Sequence, residues 1–333
     1  MSKKKQTKGG RIDSALPFEQ PLLDLEHQIQ NSDSAEERRG LEMKLQEERE
    51  TLYPNLSAWE RVQLARHAER PRMLDYTSRI FDDVIELHGD RCLGDDAAMV
   101  TGIAQFNGKT VMFVGQQKGV STDEKVERNF GMAQPEGYRK AMRMYEMAER
   151  FKLPIISFVD TPAAHPGVEA EQHGQGPIIA QSILQSLSTR TPIMCAIIGE
   201  GGSGGALAIA VGDYITIFEH AFYVICPPER CAEILWRDVE QKELASSALR
   251  LTAKDLHELG IVDTVMPEPG GGAHRNPDGA AQVLSEEIEQ FLQKCDKGIW
   301  NLDARQDRFQ RMGVWREEQP QAVVEPELRE AVD

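Results

Sequence analysis

No stretch of the 333-residue chain stays apolar over the roughly 18 residues needed to cross a bilayer, so no helical membrane anchor is expected. Cysteine is scarce: five, at positions 92, 195, 226, 231 and 295, with no C-x-x-C pair and no regular spacing. That scarcity argues against a disulfide framework and suits a reducing compartment, and no zinc site is expected on the chain. Basic charge is in deficit. Thirty-eight Lys and Arg stand against 54 Asp and Glu, a formal net charge of -16, which disfavours non-specific binding to nucleic acid or anionic membrane and leaves any polyanionic ligand dependent on a local basic patch. The opening "MSKKKQTKGG" is basic but lacks the apolar core of a secretory signal, so a soluble cytoplasmic protein is expected.

What is present is enough apolar residue, 40%, for a substantial core. Phe18, Leu22, Leu25 and Ile29 recur at helical spacing, and after a polar break so do Leu41, Leu45 and Leu52, which predicts a helical hairpin over residues 1–60. Its stripes are thin and its polar faces densely charged, as in an arm padding another surface. The segment 301–333 is charged and poor in periodic apolar positions, and reads as a partly disordered tail.

Between them, 61–300 reads as one α/β domain. "MVTGIAQF" and "KTVMFVGQQ" flank Asn107-Gly108, the dipeptide that suits a type I′ turn. Pro135 opens a helix with Tyr138, Met142, Tyr145 and Ala148 on one face. The strand "IISFVD", the loop "TPAAHPG", a helix through "IIAQSILQSLS" and the strand "IMCAII" follow, then a glycine-rich turn, a short helix, and the strands "YITIF" and "FYVIC". Turns at strand ends are where such folds place ligands.

The glycine turn carries several readings. Gly199, Gly201 and Gly204 fit G-x-G-x-x-G with Glu219 as the ribose acid, but only residues 204–213 separate Ser203 from Tyr214, too few for a dinucleotide crossover. Gly201 to Gly205 also fit the G-x-S-x-G nucleophile elbow around Ser203, with Asp263 and His274 in the right order, yet that elbow needs a long helix behind it. A tight turn kept for packing is the plain alternative. The remaining reading uses backbone alone: the amides of Gly204, Gly205 and Ala206 converge at a helix N-terminus as an oxyanion hole. It asks least of the sequence.

The strings "LARHAERPRMLDY", "HGDR", "QQKG", "RNFGMAQPEGYRKAMR", "MAERFKLPIISFVDTP", "IGEGGSGGALAIAVGD" and "PEPGGGAHRNP" resemble, in order over residues 18–312, the alpha subunits of acetyl-CoA carboxylase carboxyltransferases. The resemblance implies a crotonase-like fold of stacked ββα units behind an N-terminal helical arm. It implies a beta subunit of related fold, an alpha2beta2 assembly, and biotin borne on a separate carboxyl carrier protein. The reaction implied is carboxyl transfer from carboxybiotin to acetyl-CoA, giving malonyl-CoA for fatty acid synthesis. Released biotin anion takes the α-proton of the thioester, so no triad or metal is required; two developing oxyanions need donors, and removing one donor costs about 2.7–4 kcal/mol in comparable sites. By the resemblance Gly204, Gly205 and Ala206 supply one hole. Thr161, Pro162, Ala163, Ala164, His165, Gly167, Gly201, Gly202 and Ser203 line the cleft for substrate.

The chain departs from the family within this cleft. Ala163 and His165 stand where glycine and tyrosine are common, His173 replaces arginine, and Gly176-Pro177 replaces serine-glutamate. Cys226 to Arg230 form a stretch one residue longer than usual. Ala163 at positive φ would be strained by about 1–2 kcal/mol. His165 suggests either a general base or a shape substitute for tyrosine. His67, His88 and His274 read as structural. Lys118, Lys125 and Arg128, with Arg139, Lys140 and Arg143, are either CoA-phosphate ligands or a solvated face balanced by Asp123, Glu124 and Glu127. The departures keep two alternatives in view: a carboxyltransferase for another acyl-CoA, and a non-catalytic paralogue that scaffolds a carboxylase complex.

Overall fold

An Asn-Gly hairpin starts the sheet. In the computed structural model, which describes residues 15–313, Asn107 and Gly108 both have positive φ (47° and 79°), as a type I′ turn demands. They join β2 (Met99–Phe106) to β3 (Lys109–Gln116), and β1 (Asp82–Glu86) adds antiparallel at the edge of β2. The remaining strands are β4 (Ile155–Thr161), β5 (Ile193–Gly202), β6 (Tyr214–Phe218), β7 (Phe222–Val224) and β8 (Thr264–Met266). The sheet order is β1-β2-β3-β4-β5-β6-β8, every pairing from β3 onward is parallel, and β7 pairs with the far end of β5.

Parallel strands need cover on both faces, which is why β4 and β5 are buried along their whole length. One cover is the helix Pro135–Phe151: Tyr138, Tyr145 and Ala148 are fully buried as their spacing predicts, joined by Ala141 and Met144, while Met142 is half-buried. The helix Gln175–Ser188 packs beside it.

The end of β5 differs from expectation. The strand does not stop at "IMCAII" but runs through the glycines to Gly202, because Glu200, Gly201 and Gly202 pair with Phe222, Tyr223 and Val224 of β7. The turn is confined to Ser203, at φ 54°, and the helix Ser203–Leu207 follows.

At the N-terminal side the helices Gln20–Asn31 and Ala35–Leu52 form the expected hairpin. Their small cluster of Leu22, Leu45, Tyr53 and Leu56 is completed by Leu64 from the helix Ala58–Ala65, whose Val62 and Ala65 pack instead with Phe222, Val224 and Leu251. One helix therefore belongs to both arm and domain, and a boundary drawn at residue 60 passes through it. The expected tail also needs correcting over its first part. Asn301 caps a helix, Leu302–Gln310, and buried Arg305 docks it: the guanidinium pairs with Asp213 (3.0 Å) and donates to the carbonyls of Ser186, Thr189 and Thr191 (2.7, 2.8 and 2.8 Å). One arginine anchors what apolar periodicity did not announce. Residues 314–333, the rest of that expected tail, lie outside the described residues, as do the first fourteen.

Arg305→Ala leaves Asp213 buried and unpaired together with three unsatisfied carbonyls. It is expected to lower unfolding stability by about 3–5 kcal/mol, read as a lower denaturant midpoint at unchanged slope; an unchanged midpoint would show that the docked helix contributes nothing.

Candidate active site

The site is built where the loop after β4 meets the end of β5, and it is crowded to the backbone. A β-carbon on Gly202 would lie 1.9 Å from the Pro162 carbonyl oxygen. One on Gly205 would lie 2.3 Å from the Ala164 nitrogen, and one on Gly199 would lie 2.5 Å from the Asp160 carboxylate. These contacts bring Pro162, Ala163 and Ala164 against Gly202 and Gly205, while Thr161 pairs with Gly201 across the sheet. Thr161 folds the loop locally, its hydroxyl donating to the Ala163 carbonyl (2.6 Å). Ala163 lies outside the left-handed region, so the strain anticipated for it is absent. Ser203 carries strain instead, as the one non-glycine residue of the turn at positive φ.

The first turn of Ser203–Leu207 leaves the amides of Ser203, Gly204 and Gly205 without intrahelical acceptors, as every helix start does, whereas the Ala206 amide, expected to join them, closes the first turn onto the Gly202 carbonyl. Gly204 stands open: a β-carbon there would meet nothing nearer than Ile179 at 3.5 Å. The serine-hydrolase arrangement is not assembled. Asp263 accepts from the Ile215 amide and Arg308 (both 2.7 Å), and His274 bonds Glu19 (2.9 Å) and lies against His67 with ring centroids 4.3 Å apart. His165 is held through its backbone by Ala133 and Gln175, its ring stands over Gly167, and its Nδ1 is buried without a hydrogen-bond partner.

Beneath the turn lies an ionic network that residue spacing did not reveal. Glu200, buried, accepts from Arg66 (2.6 Å) and Lys118 (2.6 Å); Lys118 also pairs with Asp160 (2.7 Å), whose carboxylate receives the Glu200 amide (2.9 Å). Arg66 reaches on to Glu229, in the stretch that is one residue longer than the family pattern. Burial alone would raise the Glu200 carboxyl, but Lys118 and then Arg66 outweigh it and hold it down to about 2. Burial likewise opposes the charge on Lys118, and Asp160 and Glu200 reverse the effect, raising it. Lys118 is therefore committed to Glu200 and Asp160 within the protein. Arg128 donates to the Ala97 carbonyl (2.7 Å), and Lys125 is half-buried on the helix Thr122–Glu127. Arg139 pairs with Asp90 and Glu136, Lys140 with Asp95, and Arg143 with the Gly89 carbonyl. These cations fasten the 88–96 loop, which is neither of the roles expected for them.

Among the described residues, one group has metal-like proximity: Glu19, His67 and His274 offer donor atoms within 4.8 Å of one another. The same Glu19 oxygen already receives Tyr53 (2.7 Å), His274 and Arg275 (3.1 Å), so the cluster reads as the joint between arm and domain. A cavity of about 370 Å³ opens beside it, away from the glycine turn.

With this geometry in place, comparison with known proteins is specific. The family whose model matches residues 15–313 is described as acetyl co-enzyme A carboxylase carboxyltransferase-like. The acetyl-coenzyme A carboxylase carboxyl transferase subunit alpha of Halorhodospira halophila is 50% identical over 284 residues, 83% of this chain and 89% of that protein. Its counterpart of the same name in a Cyanothece species is 47% identical over 311 residues, 90% and 96% of the two. Among solved structures, the transcarboxylase 12S core with methylmalonyl-coenzyme A and methylmalonic acid bound matches with a TM-score of 0.52 at 22% identity. That match spans 64% of this chain and 41% of the other, and shows the fold, which is the crotonase-like one expected.

The crowding separates two neighbouring glycines. Gly202→Ala is expected to cost about 3 kcal/mol or more through collision with backbone, whereas Gly204→Ala should stay within about 1 kcal/mol of the parent; equal melting temperatures for the two variants would contradict the packing described. The buried carboxylates set an acid limit. Glu200 and Glu268 are both held at about 2 against an ordinary 4.5, so their contribution is complete above about pH 5 and is lost as pH falls toward 2. Unfolding stability should decline across that window, and less steeply in Glu200→Gln; parallel declines would remove Glu200 from the account.

Proposed function

The chain belongs to the acetyl co-enzyme A carboxylase carboxyltransferase-like family, and on that footing we propose that it is the alpha half of a biotin-dependent carboxyltransferase. The carboxyl group passes from carboxybiotin, borne on a carrier protein, to acetyl-CoA, and the product is malonyl-CoA. One observation carries the reading: the end of β5 and the loop after β4 meet backbone to backbone, so the chemistry offered there is peptide N–H rather than side chain.

Carboxybiotin supplies the carboxyl group and, once relieved of it, a base for the thioester's α-proton. This chain's part is to receive the charge that develops. The amides of Gly204 and Gly205 serve as donors toward an oxyanion, fixed before the reaction and therefore needing no reorganisation. The absence of a side chain at Gly204, open beyond Ile179, leaves room for a ligand to come to the backbone. Thr161 to Ala164 wall the cleft, and their contacts with Gly202 and Gly205 keep the two sides at fixed separation.

The site is half of a site. A beta subunit brings the second hole and most of the CoA contacts, in an alpha2beta2 complex of the cytoplasm. An exposed apolar surface on this chain supports such a partner: Ile225 is 79% exposed, and Ile234, Leu235, Trp236, Val239 and Leu244 are exposed on the helices Pro228–Trp236 and Lys242–Ala248 and the turn Val239–Gln241 between them. His165, with a buried ring nitrogen lacking a partner, favours a second reading in which the acyl group differs from acetyl.

Alone, with free carboxybiotin and acetyl-CoA, the chain should form no malonyl-CoA, and activity should appear on adding the beta subunit. Turnover by the isolated chain would rule out the two-subunit site.

A further inference from the structure

Three consecutive residues beyond β3 hold positive φ: Asn129 at 46°, Phe130 at 57° and Gly131 at 83°. Asparagine and glycine tolerate that region, whereas a bulky side chain is strained in it. Among the described non-glycine residues at positive φ, Phe130 is the one with an apolar side chain. The strain does not serve the core. Phe130 is 50% exposed, and Val120 and Val126 of the same segment are exposed with it. Asparagine at 130 would keep the turn and lose only half a ring of packing, so the stability of the fold does not account for phenylalanine.

The segment is fastened on both sides of this residue. The Gly131 amide donates to the Arg128 carbonyl (2.8 Å), the Met132 amide donates to the Asn129 carbonyl (2.9 Å), and the Arg128 guanidinium is tied to the Ala97 carbonyl (2.7 Å). Gly131 is pressed against the end of the sheet: a β-carbon there would lie 2.7 Å from Lys118 Cγ and 3.0 Å from the Asp160 carbonyl oxygen. Two residues on, the Ala133 carbonyl accepts the His165 amide (3.0 Å) and the side-chain amide of Gln175 (2.9 Å). Phe130 therefore belongs to the rim of the cleft walled by the loop after β4, at the carboxyl ends of β3 and β4, where parallel sheets take their ligands. Strained residues held fast by their surroundings gather at ligand clamps.

The charge of this rim narrows the ligand. On the helix Thr122–Glu127, Asp123, Glu124 and Glu127 are exposed, against a single half-buried lysine, Lys125. Lys118 and Arg128 are already engaged within the protein. An excess of carboxylates repels the phosphates of CoA. An uncharged ring with an apolar face gains from an exposed phenyl group without meeting that penalty, and the fused bicycle of biotin is such a ring. We infer that Phe130 is a binding residue for biotin, its phenyl ring packing against the biotin bicycle at the mouth of the cleft. The inference rests on the biotin-dependent reading given above.

The test uses the complex assembled with its beta subunit and runs the transfer in reverse, with malonyl-CoA as carboxyl donor and biocytin as acceptor. Binding of biocytin in the absence of malonyl-CoA is read separately by saturation-transfer NMR. Phe130→Asn, whose side chain suits the left-handed region, is expected to raise both KM and Kd for biocytin about tenfold, as loss of contact with half a phenyl ring implies. KM for malonyl-CoA, assembly with the beta subunit and melting temperature should stay at the parental values. Phe130→Tyr, which keeps the ring, should keep the parental KM for biocytin. An unchanged KM and Kd in Phe130→Asn, or a rise in Phe130→Tyr equal to that in Phe130→Asn, overturns the inference. A rise in KM for malonyl-CoA alone overturns it in favour of a CoA contact, and loss of the beta subunit overturns it in favour of a subunit interface. If the parent complex carboxylates no biocytin, the biotin-dependent reading itself falls, and the inference falls with it.

Discussion

A carboxylate buried beside a glycine turn has to be neutralised from within the protein, and the pairing of Glu200 with Lys118 and Arg66 is the constraint on which the rest of this structure depends. An ion taken out of water recovers its hydration only through charge partners of good geometry. Here the cations come from two places, Lys118 from just beyond β3 and Arg66 from the segment after the helix Ala58–Ala65, and Lys118 also ties in Asp160 of β4. Each tie crosses a different junction. Arg70 repeats the device on the neighbouring strands, meeting Glu268 with both ends of its guanidinium (2.8 and 2.6 Å) while donating to the Ile198 carbonyl of β5. The segment 66–70 thereby spans the sheet at its carboxyl ends and fixes how strand ends, arm and loops stand relative to one another.

The glycines make sense on that frame. They are commonly associated with freedom, yet here most are required by contact. Gly199 clears the Asp160 carboxylate, Gly201 the Tyr223 ring, and Gly202 and Gly205 the backbone of the loop after β4. Only Ser203 turns the chain, and it does so at a conformation a side chain tolerates poorly. Flexibility is spent nowhere in this turn. The result is a rigid seam between two backbones, with amides at its mouth and a salt-bridged floor below.

Such a seam suits a reaction whose reactants bring their own acid–base chemistry. The protein has to place dipoles where charge will appear and hold them still, and backbone amides fixed by packing do this better than a mobile side chain. The apolar surface around Ile225, Ile234 and Trp236 lies on the elements that leave β7, so a partner seated there would sit close to the same seam.

How much of this could be read from residue order depends on the range of the interaction. The hairpin at Asn107-Gly108, the helix from Pro135, the buried strands and the N-terminal helical hairpin were legible because turn chemistry and apolar periodicity act over a few residues. Long matching strings identified the family, and with it the crotonase-like fold, since a long run of residues in order carries more information than any spaced glycine pattern. What the order of residues could not supply was partnership. Lys118 and Glu200 are 82 positions apart, Arg70 and Glu268 198, and Arg305 reaches Asp213 across 92. Charged residues therefore read as solvated where folding turned them inward, and a glycine cluster read as a turn where packing made it a strand. Local preference decided which elements form; only the tertiary structure decided which charges meet, because burial removes the water that would otherwise have answered them.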